Sequence, residues 1–153
     1  MSQNKAVLRR ILSEVFEKGR LEVLDELLTE DFVNHRTPPG VSPGIEGVKQ
    51  IVQMERAGFP DLRYTVERDV EEGDFIMQSA LAEATHLGPM FGVPATGRRV
   101  SWRQVHIARM ENGRMAEHWG VSDLASLWVQ IGRTPPISRE DAILATSPPP
   151  GAR

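Results

Sequence analysis

Between Arg98 and Asp123 the chain carries an acid, an imidazole, an amide and two indoles at positions that can share one surface. Two strand-like runs flank Asn112-Gly113, a dipeptide suited to the two positive φ values of a tight hairpin turn. With those two residues as the loop, Met110 is expected beside Met115 and Arg109 beside Ala116. Further out, His106 is expected opposite Trp119, Gln104 opposite Val121 and Trp102 opposite Asp123. Paired residues share a face and successive residues alternate faces. Trp102, Gln104, His106, Trp119 and Asp123 are therefore expected together, with His118 on the other side. Carboxylate and imidazole exchange protons, an amide donates hydrogen bonds, and indoles stack on flat rings. The set predicts the floor of a pocket for an organic molecule. A bulge would slip the pairing by one residue and turn half of the set over.

The elements that must position this hairpin are legible upstream. Val7, Leu8, Ile11, Leu12, Val15 and Phe16 build the apolar stripe of an opening helix, and Gly19 stops it. A short second helix is expected from about Leu21 to Leu28, after which Asp31 to His35 leads into a proline-rich loop. Ser42-Pro43 reads as an N-cap followed by proline at the first helical position. That third helix buries Ile45, Val48, Ile51 and Val52 and ends at Gly58. From Leu62 the period becomes two, with Leu62, Tyr64 and Val66 inward. Glu71 to Asp74 is a turn, and Phe75 to His86 the next strand. Residues 87–97 form a loop that is nevertheless apolar through Met90, Phe91 and Val93, and is expected to close over a cavity or pack on a neighbouring subunit. Leu124, Leu127, Trp128 and Ile131 mark a last helix begun by Ser122 or Asp123.

Three helices, an antiparallel meander and a closing helix make an α+β fold. The expected architecture is a strongly curved antiparallel sheet with the N-terminal helices across its inner face, an α+β barrel enclosing a cone-shaped pocket. Residues 1–132 are expected to be one domain, and the proline-rich stretch 133–153 an arm rather than a second domain.

Composition narrows the chemistry. A net charge of −3 without a basic face gives no case for nucleic acid. No apolar stretch could span a bilayer or serve as a signal peptide, so a cytoplasmic protein is expected, away from the membrane. The absence of cysteine excludes disulfides, thiolate nucleophiles and cysteine-held metals. His35, His86, His106 and His118 are scattered without metal-ligand spacing, so no metal is expected. There is no Gly-x-Ser-x-Gly elbow and no phosphate-binding glycine loop followed by lysine.

Several strings in order resemble one family: Phe32-Val33-Asn34-His35, Gly44-Ile45-Glu46-Gly47, the run from Arg56 to Leu62, Glu72-Gly73-Asp74, Thr85 to Gly88, Phe91 to Arg98, Glu111 to Arg114, Glu117-His118-Trp119 and Asp123. Together they resemble the SnoaL-like polyketide cyclases, a branch of the nuclear-transport-factor-two-like superfamily. The resemblance implies the cone-shaped fold, a homodimer paired through the outer sheet face, and aldol closure of a polyketide ring without metal or cofactor. It also implies that Asp123 is the general acid/base.

Aldol closure needs a base for a proton on carbon beside a carbonyl and an acid for the oxyanion. A free aspartate, with a pKa near 3.9, is a feeble base towards carbon. Burial between Trp102 and Trp119 would raise it. His106 or Gln104 would then donate to the enolate oxygen, His35 would add a polar contact at the pocket mouth, and the indoles would hold a hydrophobic, flat substrate. Asp123 equally suits a helix N-cap. Three function classes follow: a cyclase or double-bond isomerase working on carbon acids, an epoxide hydrolase or epoxide-opening cyclase, and a non-catalytic small-molecule-binding module.

Overall fold

A computed structural model of the chain describes residues 1–134. The proline-rich arm expected over 133–153 falls, from residue 135 on, outside the described residues. Helix α1 (Gln3–Arg10) is capped by Ser2, whose hydroxyl accepts from the Lys5 amide, and runs on as a π-helical turn over Ile11–Phe16. A 3₁₀ turn (Leu21–Val23) leads into α2 (Leu24–Leu27) and strand β1 (Leu28–Asn34). Then come α3 (Ile45–Gly58), β2 (Arg63–Glu72), β3 (Phe75–Thr85), β4 (Arg99–Glu111), β5 (Arg114–Ser122) and α4 (Leu124–Gln130). No helix among these residues is long and apolar enough to cross a membrane.

The five strands form one sheet in the order β1-β5-β4-β3-β2. Strands β2 to β5 are the expected antiparallel meander, but the sheet stays open, and β1 joins it parallel to β5. Strand β1 (Leu28–Asn34) takes the place of the end of the expected second helix at Leu28 and of most of the expected passage from Asp31 to His35. Strand β1 escapes local reading because its hydrogen bonds come from β5, over eighty residues away, so its strand character depends on a partner rather than on its own pattern. The third helix also differs: Gly44, not Ser42, holds the cap position, and the Ser42 hydroxyl accepts from the Gly44 amide instead.

The core lies on one side of the sheet. Val7, Leu8, Ile11, Val15, Val48 and Val52 pack from the helices onto Ile76, Ala108, Met110 and Met115. A second cluster at the other end joins Phe59, Leu62, Trp102, Leu127, Trp128 and Ile131. The loop after β3 docks on the end of α3, with the Leu87 and Gly88 amides both donating to the Gly58 carbonyl at 3.0 and 3.2 Å. A Cβ on Gly88 would stand 2.0 Å from the Ala57 carbonyl oxygen, so only glycine permits this approach. That contact is what holds Met90 and Phe91 over the space between α3 and the sheet.

The β4–β5 hairpin decides the site. Asn112 (φ 49°) and Gly113 (φ 77°) form the expected two-residue turn, and Met110 pairs with Met115 as expected. Beyond that pair the register slips: Arg109 faces Glu117, His106 faces Gly120, and Gln104 faces Ser122. Ala116 is the extra residue of a β-bulge. The bulge lets two successive side chains, Met115 and Ala116, both go into the core, where they are 5% and 3% exposed.

Candidate active site

A cavity of about 190 Å³ opens between the π turn, α3 and the inner sheet face, with Met90 and Phe91 over it and Leu124 at its edge. One ordered water needs roughly 10–15 Å³ by the same measure, so this space suits a multi-ring molecule. Most of its wall is apolar, from Leu8, Ile11, Leu12, Val48, Ile51 and Met54. The polar groups converge from six elements: Asn34 from β1, with Arg36 just beyond it, Glu55 from α3, Tyr64 from β2, Gln78 from β3, Gln104 and His106 from β4, and His118 from β5. A shallower extension behind Glu55 reaches Phe59, Trp102 and Ser122.

Glu55 is the carboxylate of this site. It follows Val48, Ile51 and Val52 on the same helical stripe, so the periodicity that buries those residues carries Glu55 inward with them. Burial pushes its carboxyl up to about 7 against the opposing pull of Arg36 and the Tyr64 hydroxyl. Tyr64 Oη stands 3.5 Å from Glu55 Oε2, and burial together with the Glu55 charge raises the phenol well above its ordinary value. Among the described residues that line the cavity, Arg36 carries the cation; burial lowers its pKa, but arginine stays charged. Its side chain lies across β5 at Gly120, where a Cβ would come within 3.3 Å of Arg36 Cδ. Among the described residues it makes no hydrogen bond through the guanidinium, which leaves its donors for a group bound in the cavity that Arg36 lines.

Opposite this pair lies a histidine ladder. The Arg36 amide donates to Asn34 Oδ1 at 3.0 Å, His118 Nδ1 lies 2.9 Å from the same oxygen, and His106 Nδ1 lies 3.0 Å from His118 Nε2. Burial holds His106 down at about 4, helped by Arg36. It holds His118 down at about 3, with the neighbouring His106, Arg36 and His35 adding to the effect. The unfolded chain takes up these protons near pH 6.5, whereas the folded chain refuses them until about 4 at His106 and about 3 at His118. Folding stability contributed by the neutral pair is thus complete above pH 6.5 and lost as pH falls towards 4. A His118→Gln variant is expected to lose less melting temperature than the parent between pH 6.5 and 4, which calorimetry at stepped pH would measure. Equal losses would show that the ladder carries no such penalty.

The residues expected from sequence divide. Gln104 and His106 line the cavity, and Trp102 borders its extension, packed 5.2 Å from Phe59. Trp119 does not join them: with Ile107 as its partner it faces the outer side of the sheet. There His35 stacks on it, ring centroids 4.6 Å apart and planes 4° from parallel, with His35 Nε2 2.8 Å from Glu117 Oε2. Asp123 does not pair with Trp102; its backbone amide donates to the Arg103 carbonyl of β4 at 2.9 Å. It is exposed, and its carboxylate caps α4 by accepting from the Ser126 amide at 3.0 Å. His118, expected outward, faces inward. One cause, the Ala116 bulge, produces the exchange of Trp119 for His118.

Sequence reading missed Glu55, Arg36, Tyr64, Asn34 and Gln78 as site residues. Glu55 and Gln78 did carry a signal, each being a polar residue at an inward position of an otherwise apolar stripe. Among the described residues no three His, Asp or Glu side chains converge as metal ligands.

A family profile described as SnoaL-like polyketide cyclase matches residues 6–131. Nogalonic acid methyl ester cyclase of Streptomyces nogalater is 30% identical over 119 residues, spanning 76% of this chain and 89% of that protein. Among solved structures, IdmH of Streptomyces antibioticus superposes with a TM-score of 0.75 at 33% identity, covering 86% of this chain and 99% of its own. TsrD of Streptomyces laurentii superposes with a TM-score of 0.77 at 29% identity, covering 85% and 95%.

Proposed function

The chain belongs to the SnoaL-like polyketide cyclase family, and on that premise we propose that it closes a ring in a polyketide methyl ester with Glu55 as its proton carrier. The observation that carries this reading is a carboxyl held up to about 7 inside a mostly apolar cavity, beside an arginine whose guanidinium makes no hydrogen bond among the described residues. A base with its pKa near the working pH is the effective kind for carbon acids. The esterified substrate of the Streptomyces nogalater relative fits such a wall, because an ester brings no second negative charge near Glu55.

The steps balance without an added reactant. Glu55 Oε takes a proton from carbon beside a carbonyl, and the C–H pair becomes the enolate, whose oxygen is met by the Arg36 guanidinium. The enolate carbon then bonds to a second carbonyl carbon of the same molecule. The π pair of that carbonyl moves to its oxygen, which recovers the proton from Glu55. Base and acid are one residue, and the product is an isomer of the substrate. Asp123, on its helix cap, holds α4 in place and takes no proton in this scheme.

Incubation with nogalonic acid methyl ester tests the reading. The expected product has the same mass as the substrate in ordinary water, and substrate recovered part-way through the reaction in deuterium oxide is expected to carry deuterium on the carbon that Glu55 deprotonates. A product heavier by one water would sink ring closure in favour of epoxide opening. Asp123→Asn is expected to retain turnover within about threefold, and a loss of several orders of magnitude would return the proton to that residue.

A further inference from the structure

The hydrogen-bond ladder opposite Glu55 has a direction. Asn34 Oδ1 accepts from the Arg36 backbone amide, a group that can only donate, so this atom is the carbonyl oxygen and not the amide nitrogen. His118 Nδ1, 2.9 Å from the same oxygen, must then carry its proton. A neutral imidazole with its proton on Nδ1 has a bare Nε2, which accepts; hence His106 Nδ1, 3.0 Å away, must carry the proton on that ring. The remaining nitrogen, His106 Nε2, is left as a lone pair. It is buried, lines the cavity and has no partner among the described residues, and Gln78, its direct neighbour across β3 and β4, has both amide atoms buried without a partner among them. Buried polar atoms without partners are rare, and three on adjacent cavity-facing residues mark a place where a ligand group completes the bonding.

We propose that His106 Nε2 and the Gln78 amide form a subsite for one phenolic or enolic hydroxyl of the substrate, whose O–H donates to His106 while its oxygen accepts from Gln78. This rests on the reading that the cavity holds a polyketide, since such molecules carry hydroxyls on their ring edges. The assignment reverses the role expected for His106 from sequence: the ring receives a hydrogen bond and does not donate one to the enolate. Asn34 and His118 touch neither proton of the reaction in this scheme. They are positioning residues that set which nitrogen of His106 is bare. Recognition is then selective, because a methyl ether at the same position has no proton to offer and would leave Nε2 stranded.

Two measurements on the intact chain test the subsite, and neither needs turnover. Long-range proton–nitrogen correlation spectra of the free protein are expected to show His106 with a protonated Nδ1 and an unprotonated Nε2 at neutral pH. A proton on Nε2 would overturn the proposal. Binding of 2-naphthol and of 2-methoxynaphthalene, followed by calorimetry, is expected to favour the hydroxyl compound by roughly tenfold or more in the parent. His106→Phe is expected to bring the two to within about twofold, and Gln78→Leu, a second variant in case the first does not fold, is expected to narrow the gap. Equal affinities in the parent, or a preference that survives both substitutions, would overturn the subsite. Failure of Glu55 as the base would leave these results unchanged, and their failure would leave ring closure by Glu55 standing.

Discussion

Replacing Glu55 with glutamine is expected to lower kcat by about 10²- to 10⁴-fold, the range that a positioned general base supplies. The amide keeps the shape of the carboxyl and can still meet the Tyr64 hydroxyl, 3.5 Å away, but it cannot take a proton from carbon. Binding of the substrate should change little, so the loss belongs in kcat rather than KM. The parent also offers a signature in pH. Its carboxyl is pushed up to about 7, so the reactive ionised form grows as pH rises through 7. The expected profile of kcat/KM therefore climbs with pH through an inflection near 7. In Glu55→Gln the residual rate should lose that climb. A variant that keeps both the rate and the inflection would remove Glu55 from the chemistry.

Arg36→Met is the second large effect, and it acts through two routes. The first is the loss of the cation that faces the developing oxyanion, worth about 10²- to 10³-fold in kcat on the scale of a removed oxyanion-hole donor. The second is a shift in Glu55. Arg36 is the group that pulls the Glu55 carboxyl down against its burial, so without it the carboxyl should rise and the climb in kcat/KM should move above pH 7. Methionine fills a similar volume while carrying no charge, so the cavity wall survives. The same substitution removes a positive charge that helps hold His106 and His118 down, and both should titrate closer to the ordinary histidine value. A rate loss with no movement of the inflection would mean that Arg36 does not act on Glu55. An unchanged rate would mean that the enolate is stabilised elsewhere.

The two predictions depend on a placement that no single stretch of the chain encodes. Glu55 sits on an apolar stripe of α3, which a helical-period reading recovers, but nothing in that stripe says that the opposing wall holds Arg36. The arginine arrives there because β1 adds to β5 in parallel, beginning at Leu28 and ending at Asn34. That pairing carries residues 34–36 against the hairpin at the far end of the chain.

Local chemistry determined much of the scaffold. Asn112-Gly113 specified the turn because its two positive φ values suit those residues, and alternation specified which side chains of β4 turn inward. Asp123 was recognisable as a helix cap because a short carboxylate before an apolar helical run satisfies free amides. The ordered strings from Phe32 to Asp123 were enough to place the chain among the SnoaL-like cyclases. Tertiary structure decided which carboxylate enters the cavity and which aromatic ring faces it. The pairing of β5 against β4 slips at Ala116, since burying both Met115 and Ala116 gains apolar contact that a regular strand would forfeit. With a period of two, one slipped residue exchanges the faces of everything beyond it. Trp119 thus goes out, His118 comes in, and Asp123 falls level with Arg103 of the outer face, where β5 gives way to α4. Register is set by the packing of distant elements against one another, and for that reason the candidate site became visible only once the helices lay across the sheet.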